Sequence, residues 1–172
     1  CIRDSENSTP RVAAEHRVVN NHIYEFSQIE KIYCAAINCG FTGGGGGGHH
    51  TAVGMYIANN LIHGTPHVGI LFGSFDNVFE YNEIFDVCRV SNDMGGFYSF
   101  DDNKRMGNLI FRYNFIHSSP NADGIYFDED HREMQVYGNI VALNSSSERG
   151  TAYLYKKGHQ YQQPYTINCY NN

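Results

Sequence analysis

Along this chain an asparagine repeatedly closes a short apolar stretch and is followed by further apolar positions. The instances are Asn21-His22-Ile23, Asn60-Leu61-Ile62, Asn82-Glu83-Ile84, Asn114-Phe115-Ile116 and Asn139-Ile140-Val141, and Asn171 stands where the next would fall. Strand-like runs precede most of these asparagines, at 55–58, 78–81, 109–113, 135–137 and 166–169. A second series lies further upstream, at 32–37, 68–72, 95–100, 124–128 and 151–155. Each period thus holds three short strands, with Asn at the corner between the second and the third. Asn suits a corner because it tolerates the left-handed backbone region and bonds its own neighbouring backbone. Stacked periods would set these side chains in a ladder at the ~4.8 Å strand spacing.

This pattern predicts an all-β fold: a right-handed parallel β-helix, or solenoid, of about five coils with an asparagine ladder. A Rossmann-type fold is disfavoured, since nothing between the strands keeps helical periodicity over ten or more residues. A β-sandwich would also give short strands at regular spacing, but not the same three-strand order in every period. Residues 1–172 read as one solenoid domain, with residues 42–50 as a Gly-rich insertion loop. That loop runs from Gly43 to Gly48 into His49-His50; it lacks the Lys-Ser/Thr of a phosphate loop, and its histidines read as solvated. The chain opens at Cys1 and closes on Tyr170-Asn171-Asn172 in mid-pattern, with no cap at either end, so it reads as a fragment of a longer protein.

Composition narrows the function classes. Charged residues are 17% of the 172 and hydrophobic ones 41%, which excludes a disordered, solvating chain. The net charge of −6 argues against a nucleic-acid partner. No run reaches the ~20 apolar residues of a membrane helix. The chain has 18 Gly, 18 Asn, 13 Tyr and 11 Phe, as a turn-rich β protein does. Cys1, Cys34, Cys39, Cys88 and Cys169 show no CxxC spacing, so they read as small hydrophobes and not as a zinc site or a disulfide framework.

Aligning the upstream strands separates their two faces. Ile70, Phe97, Ile125 and Ala152 make one inward column, and Phe72, Ser99, Phe127 and Leu154 another. The opposite face carries Leu71, Tyr98, Tyr126 and Tyr153, then Asp128, with Asp102 and Asp130 one step further and His67 at its entrance. The expectation is a solvent-facing strip of tyrosines, suited to stacking on sugar rings, flanked by acids that hydrogen-bond hydroxyls. His63 and His117 share one position of the Asn-x-Ile-His pattern and are expected at the edge of the same face. The alternative is an aromatic stack that only stabilises the sheet. Asp128 and Asp102 form the carboxylate pair favoured by register, since neighbouring coils can give the roughly 5–9.5 Å separation that glycoside hydrolysis uses. The same acids could instead cap turns or take calcium, the one ion this reading allows.

The segments Asn60-Leu61-Ile62-His63-Gly64-Thr65-Pro66-His67, Glu80-Tyr81-Asn82-Glu83-Ile84, Asp93-Met94-Gly95-Gly96-Phe97-Tyr98, Gly107 to His117 and Gly124-Ile125-Tyr126-Phe127-Asp128 resemble right-handed parallel β-helix proteins grouped with carbohydrate-active enzymes, the nearest being glycoside hydrolase family 141. The likeness covers most of residues 56–141. It implies an exported enzyme, extracellular or periplasmic, acting on a carbohydrate substrate, with Asp93 and Asp128 as leading acids. Asp128 is therefore the common member, with Asp102 or Asp93 as its partner. A polysaccharide lyase or uronate epimerase on the same scaffold is the first alternative, using Lys104, Arg105 or Arg132 with His67. A non-catalytic glycan-binding or structural β-helix is the second.

Overall fold

The computed structural model describes residues 12–13, 15–40, 52–101, 106–129, 133–143, 154–157 and 167–172, with backbone alone at 101, 129, 154–157 and 167. Every regular element among them is a strand. The first trio is β1 (Arg17–Val19), β2 (His22–Tyr24) and β3 (Ile37–Cys39). The second is β4 (Tyr56–Ala58), β5 (Leu61–His63) and β6 (Ile70–Phe72), and the third begins with β7 (Val78–Glu80), β8 (Glu83–Phe85) and β9 (Gly95–Asp101). Then follow β10 (Leu109–Arg112), β11 (Phe115–His117) and β12 (Asp123–Glu129), and after them β13 (Met134–Tyr137), β14 (Ile140–Ala142), β15 (Leu154–Lys157) and β16 (Ile167–Tyr170). Each strand pairs in parallel with the strand three places on, which sorts them into three sheets. The first is β1-β4-β7-β10-β13-β16, the second β2-β5-β8-β11-β14 and the third β3-β6-β9-β12-β15. The fold is all-β with parallel sheets, as a solenoid requires.

The second and first sheets meet at the asparagine corner. Asn60 Oδ1 accepts from the Asn21 backbone N–H at 3.1 Å and from Asn21 Nδ2 at 2.9 Å. The same pair of bonds runs from Asn60 to Asn82, from Asn82 to Asn114 and from Asn114 to Asn139. Each interior amide thus satisfies one buried backbone donor and one side-chain donor, which lets Asn60, Asn82, Asn114 and Asn139 be about 1% exposed without penalty. Two details correct the sequence reading. The sixth member is Asn172, which accepts from Asn139 at 3.1 and 3.2 Å, and not Asn171. The left-handed residue is the one before each ladder amide: Asn20, Asn59, Tyr81, Tyr113 and Asn171 have φ between 51° and 60°, and Gly138 has 65°.

Inside lies a phenylalanine core. Phe79 and Phe111 stack at 4.8 Å, and Phe72, Phe97 and Phe127 meet Phe111 edge-on at 4.9–5.4 Å. All five are fully buried, and such ring pairs add about 0.5–1.5 kcal/mol each beyond their area. The inward column Ile70, Phe97 and Ile125 is in register as expected. By backbone register the residue beside Ile125 is Leu154, not Ala152, so the final strand sits two residues later than the alignment predicts. A two-residue slip keeps the same face inward, and so alternation alone cannot detect it. The expected strand at 32–37 also moves: β3 starts at Ile37, while Ile32 and Tyr33 are 61% and 44% exposed in the segment before it. The Gly-rich loop at 42–50 lies outside the described residues.

Candidate functional site

Because Phe97 and Phe127 point into the core, alternation turns Tyr98, Tyr126 and Asp128 to the opposite face of the third sheet. Tyr98 stands opposite Tyr126, and Asp128 opposite Phe100. The two tyrosine rings meet edge-on at 5.1 Å. Tyr98 donates its hydroxyl to Asp128 Oδ2 at 3.0 Å, and Tyr126 donates to Asp93 Oδ1 at 3.2 Å. The turn bearing Asp93 therefore folds over this face, and the structure brings Asp93 and Asp128 onto one pair of rings. Glycine makes the approach feasible. A Cβ on Gly96 would come 2.9 Å from Ile116 Cγ2, and one on Gly95 would sit 3.1 Å from the Asp123 carbonyl oxygen. Side chains there would lift the start of β9, and Asp93 with it, off the neighbouring strands.

The expected solvent-facing strip is not what the structure contains. Tyr98 is 3% exposed and Tyr126 is fully buried. His67 and Asp128 are buried as well. Alternation tells which face a side chain takes; it does not tell what covers that face. Here Tyr33 lies over it, with its ring 6.4 Å from Tyr98 and 5.4 Å from His67. Asp93 is exposed at the rim. Burial and the adjoining Asp128 charge push the Tyr98 hydroxyl far above its usual range, so it stays a donor. Burial lowers the pKa of His67 and favours the neutral imidazole, whose Nδ1 has no hydrogen-bond partner among the described residues. Asp102, Asp130 and Tyr153 lie outside the described residues. By register the residue beside Tyr126 in the next strand is Tyr155, which corrects the expected place of Tyr153.

His63 and His117 do not share this face. They belong to β5 and β11 of the second sheet, in a column Tyr24, His63, Phe85, His117. Their rings stack at 5.7, 4.5 and 5.0 Å, so ring faces are taken up by each other and edges point outward. His117 places Nε2 3.1 Å from Glu83 Oε1 and Nδ1 3.0 Å from Ser118 Oγ.

Two groupings were missed in the sequence. Tyr33 stands in the run 32–37 that the pattern assigns to a strand. On the first sheet, Glu80 receives hydrogen bonds from Tyr56 and Arg112, and Arg112 donates to the Tyr137 hydroxyl at 3.0 Å. Arg17 covers the Tyr56 ring at 4.2 Å, and Tyr137 stacks on Tyr170 at 4.8 Å. Glu80, Arg112 and Tyr137 all stand two residues before a ladder asparagine, which is the signal that could have aligned them. The cysteine reading holds for Cys39 and Cys88, which are buried and whose thiols burial pushes up to about 12. Cys34 is half-buried and Cys169 exposed.

Chemically, the third-sheet cluster offers two carboxylates held by hydroxyl donors, a neutral imidazole and a dry setting. No protein-family model, curated protein or solved structure matches the chain.

Proposed function

We propose that the chain winds as a right-handed parallel β-helix of about five coils and carries a glycoside hydrolase site for poly- or oligosaccharides, with Asp128 and Asp93 as its carboxylates. The handedness follows the strong preference of parallel crossovers. The observation that supports the site is the pair of hydrogen bonds tying Asp128 to Tyr98 and Asp93 to Tyr126, two rings in contact. Glycoside hydrolysis needs one carboxyl to move a proton at the leaving oxygen and a second to attack the sugar or activate water. Asp128 is the buried member, suited to proton transfer away from bulk water. Asp93 at the rim is the second. Tyr33 partly covers the face, so a sugar reaches Asp128 when the Tyr33 segment moves aside.

The burial of Tyr98 and Tyr126 favours a second reading, a non-catalytic structural or glycan-binding solenoid in which the tyrosine–carboxylate bonds only clamp the outer face. Reducing-end release from a panel of neutral glycans separates the two. Under the hydrolase reading Asp128→Asn and Asp93→Asn each lower turnover by about 10²-fold or more, the usual scale of acid–base contributions, with melting little changed. Asp102→Asn tests the partner that register offers: a matching loss there, with none in Asp93→Asn, makes Asp102 the second carboxylate in place of Asp93. Release that survives Asp128→Asn, or none from any glycan by the unaltered chain, overturns the hydrolase reading.

A further inference from the structure

We propose that His22 and His63 form a two-histidine site for a divalent transition-metal ion of tetrahedral preference, zinc foremost. The residues stand on neighbouring parallel strands, where Tyr24 is opposite His63 and His22 opposite Leu61. Their Nε2 atoms are 2.8 Å apart and their ring centroids 5.1 Å. A nitrogen–nitrogen contact this short needs one N–H and one lone pair, so a single proton bridges the rings. A metal ion that imidazoles bind at about 2.0–2.1 Å can take that proton's place. Two imidazoles on a tetrahedral ion have nitrogens about 3.3 Å apart and centroids about 5.2 Å apart, from that bond length and the tetrahedral angle. The observed centroid separation already matches, so the rings need only pivot in place to converge their lone pairs. A right-angled site would draw the centroids in to about 4.5 Å by the same geometry, which disfavours square-planar ions.

The surroundings hold the ligands and admit the ion. His63 is clamped between Tyr24 and Phe85, stacked at 5.7 and 4.5 Å, which limits the entropy lost on binding. His22 is exposed, so solvent can complete the coordination. Among the described residues no group of three or more His, Cys, Asp or Glu is placed to hold a metal ion, so this is a two-ligand site finished by water.

The test is calorimetric titration of the whole chain with Zn(II), its accessible thiols blocked and His49 and His50 changed to Gln so that the adjacent pair in the Gly-rich loop does not contribute. The expected result is one saturable ion, the bridging proton passing to Nδ1 of its own ring as both Nε2 lone pairs turn to the metal. His22→Gln or His63→Gln should each weaken binding at least about tenfold, since loss of a ligand exceeds the 10–100-fold cost typical of its supporting groups. His117→Gln, on the same column two strands away, should leave it unchanged. Absence of saturable binding, or binding that survives both His22→Gln and His63→Gln, overturns the site. Circular dichroism of each variant confirms that the fold is retained.

Discussion

At the scale of single residues, the outer face of the third sheet is governed by burial. His67 is the clearest case. Burial disfavours its charged form, so the folded chain keeps His67 neutral to lower pH than the unfolded chain does. Below about pH 6.5 the unfolded chain therefore takes up this proton first. The stability tied to neutral His67 is complete above that pH and is lost as pH falls toward the depressed folded value. Urea unfolding from pH 7 to 5 should show a declining free energy whose slope is shallower in His67→Gln; an unaltered slope would assign the decline to other groups. Tyr98 makes a separate claim. Tyr98→Phe keeps the ring but removes the donor that Asp128 uses at 3.0 Å, and should cost about 1.5–3 kcal/mol, the range for a hydrogen bond to a charged group. The urea midpoint measures it, and a loss below about 0.5 kcal/mol would mean that another donor serves Asp128 equally well. Register reads Tyr98, Tyr126, Asp128 and His67 on one face and the resemblance adds Asp93; the structure ties Tyr98 to Asp128 and Tyr126 to Asp93, with the Tyr33 ring against both Tyr98 and His67. Patterning missed Tyr33, because an exposed aromatic beside Ile32 reads like a strand when nothing in the pattern reveals that the segment crosses another face.

At the scale of elements, what repeats was legible and what inserts was not. The asparagine corner repeats because one amide geometry solves the same problem in every round: a buried backbone donor at a sharp bend. This predicts unequal costs along the ladder. Asn82 accepts two bonds from Asn60 and donates to the Ile57 carbonyl at 3.1 Å and to Asn114 at 3.0 Å. Asn82→Ala should strand the buried Asn60 N–H and take the side-chain donor from the Ile57 carbonyl, while Asn114 Oδ1 keeps the Asn82 backbone N–H, costing about 2–4 kcal/mol. Asn21 is exposed, and its side chain donates to Asn60 Oδ1 and locally to the Val19 carbonyl while its backbone bonds survive in alanine, so Asn21→Ala should cost under about 1 kcal/mol. Equal losses in thermal unfolding would mean that the ladder is not what holds the corner. The upstream strands were harder to place, since β3 follows a long irregular segment and β15 is offset by two residues, the one error that period-two alternation conceals.

At the scale of the molecule, the described strands pair only with adjacent strands of their own sheet, although the Phe72 ring also reaches Phe111 and Phe127 two rounds on, so stability approximates a sum of neighbour terms with a shared aromatic core. The rounds are not equally endowed. Ile57, Ile62, Phe79, Ile84, Phe111 and Ile116, in β4, β5, β7, β8, β10 and β11, are fully buried and feel neighbours on both sides. The outermost strands of the first and second sheets differ: β1 and β2 have no fully buried residue, and β14 presents Ile140 at 63% exposure. Among the described strands, each of these three has a pairing partner on one side only. Opening of such a strand exposes little apolar surface and breaks one row of hydrogen bonds, whereas opening β7 or β10 separates the Phe79–Phe111 stack and unseats two rows. Native-state hydrogen exchange should therefore be slowest at the amides of β7, β8 and β10 and grade toward faster exchange at β2 and β14. The amides of Ile84 and Phe111 should approach the exchange free energy of global unfolding. Asn82→Ala should lower protection across β5, β8 and β11 together, because the ladder couples their corners. Uniform protection across all rounds would instead mean that the described strands open as one unit, and the neighbour-sum account would fail.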